Sequence, residues 1–406
     1  MAPRESWNSG AGWASRRVII AAAAAVVLAA GGTATALAVG HSGAGHSAAG
    51  HSGASHRAVN ARLAASACTG PKGAAYIALP GYQAFDAVNT DDCYLVQQYN
   101  EGDGEVPGTG TEDFNYDSTN EGVAMYGNTL YFANTGNDTV GVLDTTALQV
   151  SNYENPAETL VHVGFDPQNL AVTPDGSQVW VADTGPQTDE PSLGGISVIS
   201  TGTDTVTARL RLHTDPRNIA FSPSDATAYV TTSAGLFVIN TASLRVTSII
   251  YGLGNPEGVA VSPDGSTVYV TNTVEGKVDV INTATNKVTG AIGVGQMPWQ
   301  LVLSSDGSRL YVADGDSNAI SVISTASDTV TNTISDPGDP VSLALTPDGS
   351  ELWVGGLTSG IVTVFNTSTG SSVGSFNVGY GGEANSGDGD EPTGIVITST
   401  LTAGGS

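Results

Sequence analysis

One pattern recurs along the chain and constrains what it can fold into more than any other feature. Its clearest copy runs Pro256-Glu257-Gly258-Val259-Ala260-Val261-Ser262-Pro263-Asp264-Gly265-Ser266-Thr267-Val268-Tyr269-Val270-Thr271-Asn272. It continues with Lys277-Val278-Asp279-Val280-Ile281-Asn282-Thr283 and ends with Lys287-Val288-Thr289-Gly290-Ala291-Ile292. The aromatic residue Tyr269 has counterparts at Tyr131, Trp180, Tyr229, Tyr311 and Trp353, with gaps of 49, 49, 40, 42 and 42 residues in chain order. Within each copy, short segments of alternating apolar residues lie between turn residues, which is the pattern of strands. Pro-Asp-Gly-Ser stands at 174–177, 263–266 and 347–350, and Ser305 replaces the proline at 305–308. In such a turn proline pre-sets φ, aspartate accepts a local hydrogen bond and glycine takes the left-handed position. A unit near 40 residues with four short strands cannot bury its own faces and must stack on its neighbours, as propeller blades do.

Six copies are complete, and the chain ends supply pieces of a seventh. Residues 393–398 (TGIVIT) match an innermost strand, while 74–79 (AAYIAL), 83–89 and 94–99 match the other three. The expected fold is therefore all-β: a seven-bladed β-propeller over residues 68–400, with four antiparallel strands per blade, closed by N- and C-terminal strands in one shared blade. Joining the ends leaves no open sheet edge between first and last blades.

Tyr269-Val270-Thr271-Asn272, with Ser262-Pro263-Asp264-Gly265 before it and Ile281-Asn282-Thr283 after it, resembles the YVTN-type seven-bladed β-propellers. The resemblance covers roughly residues 74–400 and implies the fold. It implies little about activity, because propellers host many unrelated functions. Nearer relatives of that group are exported or surface-associated binding proteins, and more distant ones are lactonases, lyases and subunits of redox enzymes. None of their catalytic motifs matches here position by position.

The N-terminus reads as an address. Residues 1–38 form a signal peptide: Arg16 and Arg17 precede the apolar run Val18 to Ala30, and Ala36-Leu37-Ala38 fits a cleavage site. The run is short for a span of roughly 20 residues, although a retained anchor is the alternative to cleavage. The arginine pair fits twin-arginine export, and the general route also accepts it. Both place the protein outside the cytoplasm, secreted or at the cell surface. Residues 39–67 form a flexible His/Gly/Ala/Ser-rich linker in which His41, His46, His51 and His56 recur every five residues. It reads as a spacer or as a tether for Zn²⁺. Cys68 and Cys93 are the only two cysteines, and an exported pair is usually oxidised. Their disulfide would close a loop of about 25 residues, stabilising by about 3 kcal/mol. Residues 401–406 are a tail.

Charge narrows the partners. Lys plus Arg is 13 and Asp plus Glu is 39, a formal charge of −26. That excess argues against nucleic acid and against adhesion to anionic lipid, which leaves the membrane to an uncleaved N-terminal segment alone. A small polar ligand, a cation or an extracellular protein is the expected partner, and the chain is expected to be a monomer. Long irregular connections at 100–120, 152–167, 183–195 and 379–392 share one end of the ring, the top, and variable loops on a rigid frame are where binding resides. Asp388, Asp390 and Glu391 alternate with glycine as Ca²⁺ loops do, without a full EF-hand pattern. The second candidate is the channel mouth, where innermost strands open with Glu121, Gln168, Arg217, Glu257 and Trp299, followed by polar Asn169 and Asn218 in two of them. These suit a small polar ligand, with an Arg217 ion pair to Glu257 or Glu121 as the structural alternative. A metal-dependent lactonase or lyase using Glu121, Asn169, Asn218 and Glu257 is the enzymatic alternative. Against it, strand alternation sends adjacent Glu and Asn positions to opposite sides. His213 and Asp215 precede Arg217, and His162 is expected to be partly buried in an outer strand. No catalytic residue is assigned.

Overall fold

The computed structural model describes residues 74–79, 84–89, 94–100, 120–145, 159–185, 194–336, 338–357, 360–377 and 394–398. The signal peptide, the His linker with His41, His46, His51 and His56, both cysteines, the tail, and Asp388, Asp390 and Glu391 lie outside these residues, as do most of the long top connections. So does the side chain of Glu121.

Six sheets are contiguous in the chain, each of four antiparallel strands. In order they are β4 (Asn120–Tyr126), β5 (Thr129–Asn134), β6 (Thr139–Asp144), β7 (Thr159–His162); β8 (Pro167–Val172), β9 (Gln178–Asp183), β10 (Gly195–Ser200), β11 (Thr205–Arg211); β12 (Pro216–Phe221), β13 (Thr227–Thr232), β14 (Gly235–Asn240), β15 (Arg245–Ile250). Then come β16 (Pro256–Val261), β17 (Thr267–Asn272), β18 (Lys277–Asn282), β19 (Lys287–Gly293); β20 (Pro298–Leu303), β21 (Arg309–Asp314), β22 (Ala319–Ser324), β23 (Thr329–Ser335); β24 (Pro340–Leu345), β25 (Glu351–Gly356), β26 (Ile361–Asn366), β27 (Ser372–Asn377). The chain ends build one further four-stranded sheet: β28 (Gly394–Thr398) pairs antiparallel with β1 (Ala74–Leu79), followed by β2 (Ala84–Asn89) and β3 (Tyr94–Asn100). Ala74 lies opposite Thr398 and Ala78 opposite Gly394. The innermost strands β4, β8, β12, β16, β20, β24 and β28 touch one another in that order, and β28 touches β4, so the cycle is closed. The fold is an all-β propeller of four-stranded antiparallel blades.

The core lies between blades. Second and third strands are buried along nearly their whole length because a neighbour covers each face. Outer strands face solvent on one side and alternate, as β11 does. One interblade cluster joins Trp180, Ile196 and Val198 to Ile219, Val230 and Phe237 of the next blade. Trp180 meets Phe221 edge-on at 5.4 Å. The aromatic marker also reaches the turn between third and fourth strands one blade on. Tyr131 hydrogen-bonds Asp204 there, whereas Trp180 packs in the same apolar cluster as Leu244. Asp204 and Leu244 both hold left-handed backbone, at φ 49° and 50°.

At the bottom, each Pro-Asp-Gly turn closes in the same way. Asp264 Oδ1 accepts from the Ser266 amide at 3.0 Å and from the Ser262 hydroxyl at 2.5 Å. Asp306 and Asp348 repeat the arrangement. These hydrogen bonds hold the Asp264 and Asp306 carboxyls down at about 2. The carboxylates of these turns are engaged within their own turn, whereas Asp225 accepts from the Asp175 amide of the preceding blade.

Candidate functional site at the channel mouth

Every innermost strand of the six contiguous blades opens on an irregularity. Pro167, Pro216, Pro256, Pro298 and Pro340 pair with the ends of their second strands, and the register then slips; Asn120 takes the proline's place in β4. The slip falls on the opening residues singled out above: Gln168, Arg217, Glu257 and Trp299. A bulge sets two residues against one and interrupts alternation. The expectation that neighbouring Glu and Asn positions point to opposite sides assumed regular pleating, which the register shift interrupts at these residues.

The bulges are fastened between blades. Thr271 stands opposite the β16 bulge; its hydroxyl accepts from the Gly258 amide at 2.7 Å and donates to the Trp299 carbonyl of the next blade at 2.8 Å. Thr231 does the same for Asn218 at 3.0 Å and the Glu257 carbonyl at 2.7 Å. One hydroxyl thus satisfies an unpaired bulge amide and a neighbour's carbonyl. The approach is close enough to require glycine at Gly258, where a Cβ would lie 2.7 Å from the Trp299 carbonyl oxygen. In the sequence these threonines follow the aromatic marker by two positions, while Ala133, Ala182, Ala313 and Gly355 occupy that position elsewhere. That variation was the available signal, and the strand pattern hides it.

Arg217 ion-pairs with Glu257 of the adjacent blade, Nη1 to Oε1, with side chains 21% and 15% exposed. Of its two possible partners, Glu257 is the one that pairs with it among the described residues. Burial pushes the Glu257 carboxyl from its ordinary 4.5 up to about 7, while Arg217 and the Asn255 amide pull it back. Gln168, Asn169 and Asn218 are buried, and Trp299 is half-buried. Asn169 Oδ1 accepts from the Leu170 amide at 2.6 Å.

Neither histidine considered for catalysis is buried. His162 is exposed, not partly buried, because it falls on the solvent side of the alternating outer strand β7. His213 is exposed and left-handed at φ 57°. Among the described residues no group of three or more His, Cys, Asp or Glu is placed to hold a metal ion. Among the buried carboxylates that were not anticipated are Asp183 and Asp314, each closing a second strand at the top.

The profile of the choice-of-anchor I domain matches residues 81–302. The match is to that family and not to the YVTN-type group that Tyr269–Asn272 suggested. No curated protein sequence matches the chain. Similar solved structures include a functionally unknown protein from Desulfotomaculum acetoxidans, 17% identical over 80% of this chain and 98% of that one, with a TM-score of 0.61. Kuenenia stuttgartiensis hydrazine synthase is 20% identical over 70% of this chain and 90% of that one, with a TM-score of 0.58. The Cps50 (Swd1) β-propeller domain of Myceliophteria thermophila is 11% identical over 64% and 85%, with a TM-score of 0.52. At these identities the likeness is one of fold.

Proposed function

The chain belongs to the choice-of-anchor I domain family, and from that premise we propose that it is an exported or surface-associated propeller that binds an extracellular partner through its top face and channel mouth. The observation that carries this reading is the contrast between the two ends of the ring. The Pro-Asp-Gly turns at the bottom are near-uniform and engage their own carboxylates, whereas the top gathers Gln168, Arg217, Glu257 and Trp299 on bulges of successive innermost strands. Bulges re-aim side chains and cluster at sites for that reason. The fold supplies a rigid frame, and the variation is concentrated where a ligand would meet it.

The test is retention of the purified full chain on isolated cell envelopes. The triple variant Gln168→Ala, Arg217→Ala, Trp299→Ala is expected to lose retention, while the bottom-face variant Asp264→Ala retains it. Equal retention by both would overturn the assignment of the working end. A second reading, a hydrolase or lyase at the mouth, is favoured by one observation: Glu257 is held near neutrality, where a carboxyl can exchange a proton. It requires turnover of lactones or related esters that Glu257→Gln abolishes.

A further inference from the structure

The two most exposed large apolar side chains among the described residues stand on joined loops. Val274 is 73% exposed and Tyr251 is 68% exposed. Tyr251 opens the connection from β15 to β16, and Val274 lies on the hairpin from β17 to β18, so both are at the top of the blade that begins with β16. The loops are tied together: the Val274 amide donates to the Gly254 carbonyl at 3.3 Å, and the Thr273 hydroxyl donates to the Asn255 carbonyl at 3.0 Å. Leu253, 1% exposed, anchors the connection in the core below. Single apolar residues scattered over a surface are ordinary, whereas a fixed pair held out to water marks a contact surface.

The charged groups beside this pair leave an acid excess. Arg217 is paired with Glu257, and Lys277 meets two carboxylates, Glu275 at 2.7 Å and Asp279 at 3.2 Å. Asp215, at the top of the preceding blade, has no cation in contact among the described residues. The surface therefore suits a segment that carries aliphatic side chains among cations.

The chain contains one such stretch. Of its 13 lysines and arginines, Arg57, Arg62 and Lys72 fall within residues 39–73, where there is no acid, while every one of the 39 acids except Glu5 lies beyond it. Val59 and Leu63 stand among those cations. We propose that residues 57–72 of a second copy of this chain dock on the Tyr251 and Val274 surface, with Val59 and Leu63 against the apolar pair and the cations toward Glu275 and Asp215. Topology places the partner in another copy. The stretch leads into β1, whose first residue, Ala74, lies opposite Thr398, the last residue of innermost strand β28, at the bottom of the ring. In the cycle of innermost strands β28 is three blades from β16. From Arg62 to Ala74 the chain spans at most about 40 Å. That length does not cover the climb of about 20 Å along a strand together with the passage round the outside of the blades to the far side. The contact is heterologous, from the bottom of one copy to the top of the next, and the monomer expected from the sequence becomes the form at low concentration or high salt. Gln168, Arg217 and Trp299 take no part in it, so it goes beyond the reading above and is tested separately from it.

The experiment is sedimentation velocity of the purified full chain over a range of concentrations. The parent is expected to associate as concentration rises and to dissociate on addition of NaCl. Two double variants, Arg57→Glu with Arg62→Glu and Tyr251→Ser with Val274→Ser, are each expected to weaken association about tenfold or more; the second pair replaces exposed side chains only, and circular dichroism checks that its fold is kept. Mixing the two variants is the decisive arm. The intact segment of the second fits the intact top of the first, so the mixture is expected to form dimers and nothing larger. A parent that stays monomeric at every concentration, association that neither double variant weakens, or a mixture that forms no dimer would each overturn the proposal.

Discussion

Replacing Asp183 or Asp314 with asparagine is expected to stabilise the protein at pH 8 and to lose that advantage near pH 4. Both carboxyls are buried at the top ends of second strands. Ser197 Oγ donates to Asp183 Oδ2 at 2.6 Å, and Ser321 Oγ donates to Asp314 Oδ2 at 2.6 Å. Burial raises Asp183 from 3.8 to about 7, with Ser197, the Gly164 amide and Arg209 opposing the rise. Burial likewise raises Asp314 to about 6 against Ser321 and the Gly295 amide. The folded protein therefore holds protons that the unfolded chain releases. The resulting stabilisation is fully present below about pH 4 and is lost as pH climbs through about 6 to 7. At 1.36 kcal/mol for each tenfold change in proton affinity, the ceilings are roughly 4 kcal/mol for Asp183 and roughly 3 kcal/mol for Asp314. Asparagine keeps an acceptor for the serine and removes the charge, and Asn134 and Asn272 already occupy this position in two other blades. The charge-assisted serine bond weakens in exchange, so the net gain at pH 8 is about 1–2 kcal/mol each. Urea denaturation of parent and variants at pH 4 and pH 8 measures it. If Asp183→Asn proved less stable than the parent at pH 8, the ionised form would be the one the fold favours, and the reasoning would be refuted.

Further consequences follow from the same interblade contacts. Gly258→Ala places a Cβ against the Trp299 carbonyl and is expected to cost about 2–3 kcal/mol in chemical denaturation, whereas Gly290→Ala, with its nearest contact at 3.7 Å in an outer strand, is close to neutral. Arg217→Met leaves a half-buried Glu257 without its cation; because that carboxyl already stands at about 7, protonation limits the loss to under about 1 kcal/mol at pH 7. The loss grows to about 2–3 kcal/mol at pH 9, where the double variant Arg217→Met, Glu257→Met recovers most of it. Tyr131→Phe removes the hydroxyl from Asp204 and lowers stability by about 1 kcal/mol, and the paired exchange Tyr131→Trp, Asp204→Leu, which copies Trp180 and Leu244, is expected to restore it. Thr271→Val unfastens the Gly258 amide and the Trp299 carbonyl together and costs about 1–3 kcal/mol, more than Thr289→Val on the outer strand.

The architecture is legible in the sequence because each blade repeats its own instructions. The Pro-Asp-Gly turn, the alternating second strand and the aromatic marker recur at a spacing only a stacked array uses, and TGIVIT at one end complements AAYIAL at the other. Details of the mouth are less legible for physical reasons. A bulge has no composition of its own, so Glu257-Gly258 and Gln168-Asn169 read as the start of regular strands. Asp183 and Asp314 look like ordinary strand-end acids, and only the fold sets the Ser197 and Ser321 hydroxyls and the Gly164 and Gly295 backbones against them. His162 was misjudged because a fourth strand has solvent on one side, and its short length leaves the phase of alternation to the tertiary contact. Arg217 is recognisable from the scarcity of basic residues, but its pairing with Glu257 depends on which blade lies beside it.

The chain carries its own reporter of the proposed working end. Trp180 and Trp353 are fully buried between blades, Trp299 opens an innermost strand at the mouth, and Trp7 and Trp13 lie within residues 1–38. With 5-fluorotryptophan incorporated and Trp299 assigned through Trp299→Phe, fluorine NMR during titration with a soluble digest of cell envelopes follows all of these positions at once. The account predicts that the Trp299 resonance shifts saturably while Trp180 and Trp353 stay in place. Saturable binding that leaves Trp299 unmoved would contradict it.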